Sequence, residues 1–246
     1  MTWAPASPPL PLGGGQVHVW RARLGVEDDH LRVCHALLSQ EESQRAARYA
    51  FDEPRRRFVV ARGTLRAILA AYVGAAASDL VFAYGEHGKP RLTTPDTDTM
   101  FNLSHSGDRV LLAIARGRDV GVDVERTQRN VNWEAVSRRF FEGGEQTALF
   151  ELPEEERRAA FFRCWTRKEA FMKATGRGVT YGLQSFSVNL APGEDPDLLW
   201  LETGSPEDWG LADADPDDEH AGAMCAAGRD WRPVYLTAPE GDFVRE

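Results

Sequence analysis

The succession of apolar patterns along this 246-residue chain predicts an α+β fold of two similar lobes with a cleft between them. Stretches with helical periodicity are followed by short apolar runs that are typical of strands, and this succession occurs once in each half. A turn at Gly117 separates the halves. The chain is long enough for each half to bury a core of its own.

Composition divides the chain into three expected parts. Residues 1–15 are rich in Pro and Gly and are expected to form a flexible arm. Residues 16–118 form the expected N-terminal lobe, and residues 119–246 form the expected C-terminal lobe.

The elements of the N-terminal lobe follow from apolar periodicity and from start signals. Ser39 and Glu42 are spaced as a capping box, which opens a helix. Another helix follows Pro54, and segment 85–98, rich in Gly, Pro and Thr, is expected to be a loop. The expected strands are 17–22, 80–84 and 110–115, and the other expected helices are 27–38 and 54–72.

The C-terminal lobe is predicted to contain a long helix from Glu154 to Thr175, which Gly176 ends. Residues 213–219 read as an acidic, solvated loop. The remaining expected elements are strands at 120–124, 186–190, 198–202, 221–226 and 234–237 and helices at 132–141 and 145–149.

Overall charge and cysteine content limit the function classes. A net charge of −9 argues against a general binder of nucleic acid or of anionic membranes. The three cysteines are far apart and form no CxxC pair, so neither a zinc site nor a disulfide framework is indicated, and a cytoplasmic location is expected. No apolar run approaches a membrane span, and the N-terminus lacks the features of a signal peptide.

Lysine is rare and clustered. The 29 basic residues include only three lysines, which are Lys89, Lys168 and Lys173. A compact ammonium can bind phosphate or give up its proton, whereas arginine stays charged. The clustering therefore points to phosphate chemistry; the alternative is chance combined with a biased codon usage.

A polar block, Asn102 to Ser106, is expected to form a turn at the mouth of strand 110–115. Ser104 and His105 can supply hydroxyl, ring and backbone N–H donors to a phosphate. A catalytic dyad is a further interpretation, although adjacent Ser and His seldom have the required geometry. The remaining interpretation is a polar turn that satisfies its own hydrogen bonds.

Asp123 and Glu125 lie two residues apart in an expected strand, so their side chains project from one face. Paired carboxylates repel unless a cation or a shared proton relieves them, and hard oxygen ligands suit Mg²⁺. Two hydrated acids at a strand end are the alternative.

Trp165, Glu169 and Lys173 share one face of the long helix because they are spaced by four residues. A solvated ion pair between Glu169 and Lys173 is the simplest interpretation. The bulky Trp165 on the same face argues against full exposure. Asp123, Glu125 and Glu169 are together a hypothetical three-carboxylate site for one Mg²⁺ ion.

In this order, the blocks resemble the surfactin-type (Sfp-type) 4′-phosphopantetheinyl transferases over about residues 30 to 230. Each motif alone is weak, but their order and spacing are specific. The matching segments are Gly88-Lys89-Pro90, Asn102-Leu103-Ser104-His105-Ser106, Gly121-Val122-Asp123-Val124-Glu125, Arg139-Phe140-Phe141, Trp165 through Lys173, Gly176-Arg177-Gly178 and Phe186-Ser187-Val188.

The resemblance implies a monomer of two pseudosymmetric lobes with coenzyme A between them. It implies transfer of phosphopantetheine to a serine of an apo acyl or peptidyl carrier protein, with release of adenosine 3′,5′-bisphosphate. Glu169 is the candidate base, and Lys173 is expected to assist the leaving phosphate. By the resemblance, Mg²⁺ is held by Asp123, Glu125 and Glu169, and coenzyme A is contacted by Arg62, Lys89, Ser104, His105, Lys168 and Lys173.

Other functions remain as alternatives at this point. Carboxylates with Mg²⁺ also hydrolyse phosphate esters, so a metal-dependent phosphodiesterase or nuclease is one rival, and the acidic balance disfavours a nucleic-acid substrate. A catalytically silent carrier-binding module and a generic α+β fold with solvated acids are the others. The sequence predicts neither the carrier protein nor whether fatty-acid, polyketide or nonribosomal-peptide synthesis is served.

Overall fold

A computed structural model describes residues 1–8 and 10–239 of the chain. Residue 9 of the expected arm and residues 240–246 of the expected C-terminal lobe lie outside the described residues. The helices are α1 (Asp28–Ala36), α2 (Gln40–Ala47), α3 (Asp52–Val73), α4 (Trp133–Phe140), α5 (Gly143–Glu151) and α6 (Glu154–Thr175). The strands are β1 (Ala4–Pro5), β2 (Gln16–Arg23), β3 (Val81–Tyr84), β4 (Pro90–Thr94), β5 (Thr99–Ser106), β6 (Arg109–Arg116), β7 (Val120–Arg126), β8 (Phe186–Val188), β9 (Leu198–Leu201), β10 (Trp209–Asp213), β11 (His220–Ala227) and β12 (Arg232–Thr237).

The two lobes repeat one plan, which confirms the predicted fold class. The first sheet contains the strand order β2-β6-β5, and the second sheet has the matching order β7-β11-β10. Each lobe has one 22-residue helix, α3 or α6, and each helix ends at a glycine in the left-handed conformation, Gly74 or Gly176. Two small hairpins, β3-β4 and β8-β9, complete the repeat.

The hydrophobic core has one main cluster in each lobe and one between the lobes, and a fourth cluster joins α1 and α2 to α3. In the first lobe, α3 buries residues such as Leu65 and Ile68 against Trp20 of β2. In the second lobe, the aromatic side of α6, including Phe171, packs against Cys225 of β11. The opposite faces of the two sheets meet through a third, aliphatic cluster, which contains Val17, Val19, Leu111, Val122, Val124 and Met224. The two lobes are therefore joined by a continuous packed layer.

The ends of the chain depart from the expected division. Strand β12 lies parallel to β2 in the first sheet, with Tyr235 paired with Val19, so the C-terminal segment crosses back to the N-terminal lobe. The expected flexible arm contains β1, which pairs with β12. Backbone pairing thus anchors Ala4–Pro5, which the Pro- and Gly-rich composition does not predict.

Several local expectations are confirmed and several are wrong. Ser39 caps α2 through both hydrogen bonds of the capping box, and α6 has the predicted bounds. Segment 85–98 is not all loop, because it contains β4. The polar block around Ser104 is not a turn, because it lies within β5. Strand β10 was not expected.

The acidic loop is also less solvated than expected. Its first acid, Asp213, pairs with Arg167, and Asp217 pairs with Arg109 of the other sheet. Asp217 therefore links the lobes and Asp213 pairs within the C-terminal lobe, while Asp218 and Glu219 are exposed. Among the described residues, none of the helices combines the length and apolarity needed to span a bilayer.

A glycine sets the distance between β7 and α6. A Cβ atom at Gly121 would lie 2.2 Å from the carbonyl oxygen of Ala170 and 2.3 Å from the backbone nitrogen of Ala174. These obstacles are backbone atoms of the helix, so they cannot rotate away. The strand and the helix can therefore cross at this spacing only because residue 121 has no side chain.

We expect Gly121→Ala to destabilise the protein by about 3 kcal/mol, because the methyl group forces α6 away from β7. Chemical denaturation measures the loss. The matched control is Gly143→Ala, since nothing lies within 4 Å of a Cβ atom there and the residue opens α5; this variant should be as stable as the parent or slightly more stable. Equal stabilities of the two variants would contradict the close packing.

Candidate active site

The edge strands β5 and β7 meet in the cleft through serine–carboxylate hydrogen bonds. The Ser104 hydroxyl donates to Asp123 Oδ1 at 2.9 Å, and the Ser106 hydroxyl donates to Glu125 Oε2 at 2.9 Å. The alternation of strand side chains places both acids on one face of β7, while Val122 and Val124 enter the core. The two acids are therefore held in register by two serines.

Helix α6 brings a lysine and a third carboxylate to the same place. Lys173 Nζ donates to Asp123 Oδ1 at 2.6 Å and to Ser104 Oγ at 3.0 Å. Glu169 lies one turn earlier on that face. Burial, followed by the negative charge of Asp123, raises the pKa of Glu169 to about 7, and Lys173 only partly opposes this rise.

Glu125 experiences the same accumulation of negative charge. Burial and the charge of Asp123 raise its pKa, against the opposing effects of Arg129, Ser106 and Lys173. The three carboxylates thus interact electrostatically with one another, as groups that share a site do.

The donor set fits a hard divalent cation. Asp123 Oδ2 is buried and has no hydrogen-bond partner among the described residues, which is costly unless a cation satisfies it. All three candidate ligands are carboxylates, which suit Mg²⁺. Within residues 1–8 and 10–239, however, no group of three or more His, Cys, Asp or Glu side chains is preassembled as a metal cluster. Instead, Lys173 engages Asp123, and Arg129 engages Glu125.

Two further candidate residues, His105 and Lys89, belong to the first lobe. His105 is exposed on β5, and its pKa is lowered by partial desolvation of the ring and by the positive charges of Lys173 and Arg57. Lys89 lies at the C-terminal end of α6, where its ammonium donates to the carbonyl oxygen of Ala174 at 2.8 Å. Burial lowers the pKa of Lys89. Lys89 also pairs with Asp119 at 3.8 Å, immediately before β7, so it lies near the start of that strand, whereas Asp123 and Glu125 lie farther along it.

Two candidate residues are not brought to the carboxylates. Lys168 is fully buried, and its ammonium contacts both oxygens of Glu145 at 2.6 and 2.7 Å and the carbonyl oxygen of Phe186 at 2.7 Å. It points away because five residues separate it from Lys173, which is about 140° around a helix. The expected contact of Lys168 with the pyrophosphate is therefore replaced by a structural ion pair.

Arg62 is likewise engaged elsewhere. Its guanidinium forms an ion pair with Glu42, which also binds the buried Arg66. This network ties α2 to α3 and leaves Arg62 little freedom to reach a ligand in the cleft.

The structure adds three residues that the sequence interpretation missed. Ser106 repeats the role of Ser104 two positions on, a signal that becomes visible once the block is assigned to a strand. Arg129 contacts Glu125 from a turn, and Glu145 neutralises Lys168 from another helix. Neither of these contacts has a sequence pattern, since they depend on how the chain folds back.

Comparison with known proteins decides the family. A family profile described as "4′-phosphopantetheinyl transferase superfamily" matches residues 119–225, and one described as "4′-phosphopantetheinyl transferase, N-terminal" matches residues 25–116. The chain is 37% identical over 236 residues to the 4′-phosphopantetheinyl transferase HetI of Nostoc sp. strain PCC 7120, covering 95% of this chain and 97% of that protein. The chain belongs to the 4′-phosphopantetheinyl transferase family.

Two further relatives agree with this membership. The putative 4′-phosphopantetheinyl transferase slr0495 of Synechocystis sp. strain PCC 6803 is 37% identical over 149 residues, which cover 60% of this chain and 61% of that protein. The 4′-phosphopantetheinyl transferase Sfp of Bacillus subtilis strain 168 is 29% identical over 197 residues, covering 80% and 85%. The resemblance to Sfp-type 4′-phosphopantetheinyl transferases is thus confirmed.

The ion pair of Lys168 yields a stability prediction. We expect Lys168→Met to cost about 3–5 kcal/mol, because it leaves the Glu145 carboxylate buried without a counter-charge. The double variant Glu145→Gln/Lys168→Met should be more stable than Lys168→Met alone, since it removes that charge and keeps an acceptor for the Val188 N–H. Chemical denaturation gives both values.

The same double variant tests the location of Lys168. Its KM for coenzyme A should stay within about twofold of the parent value, because the buried ion pair does not face the cleft. A large rise in KM for coenzyme A in a fully folded variant would indicate that Lys168 contacts the substrate after all.

Proposed function

We propose that this chain is a Mg²⁺-dependent 4′-phosphopantetheinyl transferase that uses coenzyme A as its substrate. It transfers the phosphopantetheine arm to a serine hydroxyl of an apo acyl or peptidyl carrier protein and releases adenosine 3′,5′-bisphosphate. The observation that carries the proposal is the cluster of Asp123, Glu125 and Glu169 with Lys173 in the cleft of a family member.

The proposed metal ligands are Asp123, Glu125 and Glu169. Bound there, Mg²⁺ would offset the charge of the pyrophosphate and favour departure of the nucleotide phosphate. The unsatisfied Asp123 Oδ2 supports this assignment, because it offers a buried acceptor with no partner among the described residues.

Two side chains of α6 are proposed to move or hold protons. Glu169, or a water that it holds, is the candidate base for the serine hydroxyl, because its carboxylate lies one helical turn from Lys173 on the same face of α6. Lys173 is proposed to donate to the departing phosphate oxygen, because its ammonium already lies among the acceptors of the cleft. Substrate displacement at phosphorus requires both an incoming hydroxyl with a base and a stabilised leaving oxygen.

The rim residues are proposed to bind the nucleotide. His105 follows Ser104 on β5, Lys89 is held at the C-terminal end of α6, and Ser104 bonds to Asp123 and Lys173. The arrangement orders the substrate with its pyrophosphate toward β7 and α6.

Location and assembly are proposed more generally. The three cysteines are free and buried, which fits a reducing cytoplasm, and we propose a monomer from the two-lobed plan of the chain. A silent carrier-binding module is disfavoured, because such a module has no need of an unsatisfied buried carboxylate oxygen and a desolvated glutamate.

The proposal is tested by mass spectrometry of apo acyl and peptidyl carrier proteins incubated with the protein and coenzyme A. We expect a carrier to gain the mass of phosphopantetheine with Mg²⁺, and no gain with a chelator. Cleavage of coenzyme A without any carrier gaining mass would instead indicate a phosphodiesterase.

We expect Glu169→Gln to lower kcat at least about 100-fold, because the amide can neither accept a proton nor bind the cation as a carboxylate does. Coenzyme A binding, measured by calorimetry in the absence of Mg²⁺, should change less than about threefold. The control is Glu156→Gln, an exposed glutamate in the first turn of the same helix. Near-normal turnover by Glu169→Gln would overturn the assignment.

We expect Lys173→Ala to reduce kcat far more than it raises KM, since the ammonium is proposed to act on charge that develops in the transition state. Steady-state kinetics with a reactive carrier measures both constants. Lys173→Arg is the matched variant, because it keeps the charge but not the point geometry. An effect confined to KM would contradict a transition-state role.

A further inference from the structure

Arg129 forms an ion pair with one of the proposed metal ligands. Its Nη1 atom lies 3.0 Å from Glu125 Oε1, four residues earlier in the chain. The Glu125 side chain is only 15% exposed, whereas that of Arg129 is 39% exposed, so the carboxylate is the more buried partner. Ser106 occupies the other carboxylate oxygen, Oε2. Both oxygens of Glu125 are therefore engaged.

The backbone of Arg129 is fixed by its surroundings. Arg158 of α6 donates to the carbonyl oxygens of Thr127 and of Arg129, and Thr127 also bonds to the carbonyl oxygen of Glu219. The Arg129 guanidinium lies 5.9 Å from the ring centre of Phe162, on the face of α6 that carries Glu169 two turns later. The backbone of Arg129 is thus held in place by hydrogen bonds from other elements, which favours its ion pair with Glu125.

The contact is also incompletely satisfied. Arg129 Nε is buried and has no hydrogen-bond partner within the described part of the chain. A guanidinium with a buried, unpaired N–H gains hydrogen-bond energy when it moves toward an additional acceptor. A polyanionic substrate would supply such acceptors.

Lys173 plays the corresponding role at Asp123, at 2.6 Å. Each of the two strand carboxylates is therefore neutralised by an internal cation. This agrees with the absence of a preassembled cluster of three carboxylates in residues 1–8 and 10–239. A divalent ion can reach Asp123 through Oδ2, to which no described residue donates a hydrogen bond, but it can bind Glu125 only if Arg129 or Ser106 gives way, because both oxygens of that carboxylate are engaged.

We infer that Arg129 is a positioning residue that holds Glu125 as an exchangeable counter-ion and thereby links metal binding to substrate binding. In the free protein, the arginine competes with Mg²⁺ for Glu125. When coenzyme A is present, its pyrophosphate would accept the displaced Arg129 guanidinium and share Mg²⁺ with Glu125. Mg²⁺ and coenzyme A would therefore bind together. The inference rests on the proposed function, because it needs Glu125 to be a metal ligand.

Elementary electrostatics fixes the direction of the effect. A positive side chain a few ångströms from a divalent ion repels it, and binding must also break the ion pair with Glu125. Loss of the arginine removes both costs. By reciprocity, coenzyme A should strengthen metal binding less in a protein that lacks the arginine.

The test measures metal affinity directly, without turnover. Isothermal calorimetry with Mg²⁺ is performed on the wild-type protein, on Arg129→Gln and on Arg129→Lys, each with and without coenzyme A and in the absence of carrier. Arg126→Gln is the matched control, because Arg126 adjoins Glu125 in sequence but its nearest acid, Glu219, lies 4.0 Å away. Thermal unfolding shows that each variant is folded.

We expect Arg129→Gln to bind Mg²⁺ about 3- to 10-fold more tightly than the wild type without coenzyme A, and about equally with it. The Mg²⁺ affinity of Arg129→Lys should lie between those of the wild type and Arg129→Gln. Arg126→Gln should change the Mg²⁺ affinity less than about twofold, because the charge of Arg126 is solvated. Unchanged or weaker Mg²⁺ binding by folded Arg129→Gln would overturn the inference, as would an equal gain in Arg126→Gln.

A further variant separates this inference from the proposed function. Glu125→Gln should weaken Mg²⁺ binding in the presence of coenzyme A, because it removes a ligand. If Glu125→Gln binds the metal as the wild type does, the metal assignment itself is wrong, and the inference falls with it. If Glu125→Gln loses the metal while Arg129→Gln behaves as the wild type, only the role of Arg129 is rejected.

Discussion

The direct contact of α6 with β7 at Gly121 is the constraint on which the site depends. Because no side chain separates the strand from the helix, acids of the strand and polar residues of the helix reach one another across a short gap. Lys173 contacts Asp123 at 2.6 Å as a result, and Glu169 experiences the charges of Asp123 and Glu125. The chemistry of the cleft therefore begins with a packing requirement in the core.

The N-terminal lobe has a corresponding contact between a strand and its long helix, but that contact is made by neutral side chains. There, β2 packs on α3, and the contact is made by Trp20, whose indole donates to the hydroxyl of Tyr72 at 3.0 Å. His18 also contacts that hydroxyl, and burial lowers the pKa of His18 to about 4, so the imidazole is neutral near pH 7. One strand–helix pair is thus neutral and stabilising, while its counterpart concentrates carboxylates. Burying like charges is unfavourable for stability, which is typical of functional sites.

Helices were the most predictable part of the fold, because their signals are local. The capping box at Ser39 and the bounds of α6 depend on residues a few positions apart. The strands that were missed are β1, β4, β5 and β10, where polar residues, proline or glycine obscure the two-residue period. The return of β12 to the first sheet is a non-local pairing, which no local pattern indicates.

The candidate site shows the same division. The common face of Asp123 and Glu125 follows from the two-residue period of a strand, and that of Glu169 and Lys173 follows from the helical period. Lys168 was placed at the site by its motif, but the burial of its side chain against Glu145 depends on tertiary packing. Arg129 was missed because its contact with Glu125 is made through a turn that Arg158 fixes from another element.

The central claim is that Asp123, Glu125 and Glu169 converge on one divalent cation when coenzyme A is bound. A crystal structure with coenzyme A and Mn²⁺, with the metal located by its anomalous scattering, tests this claim most directly. The account predicts one metal peak within about 2.5 Å of an oxygen of each of the three carboxylates and of a pyrophosphate oxygen. A metal bound elsewhere, or carboxylates that stay paired with Lys173 and Arg129 beside a bound metal and substrate, would contradict it.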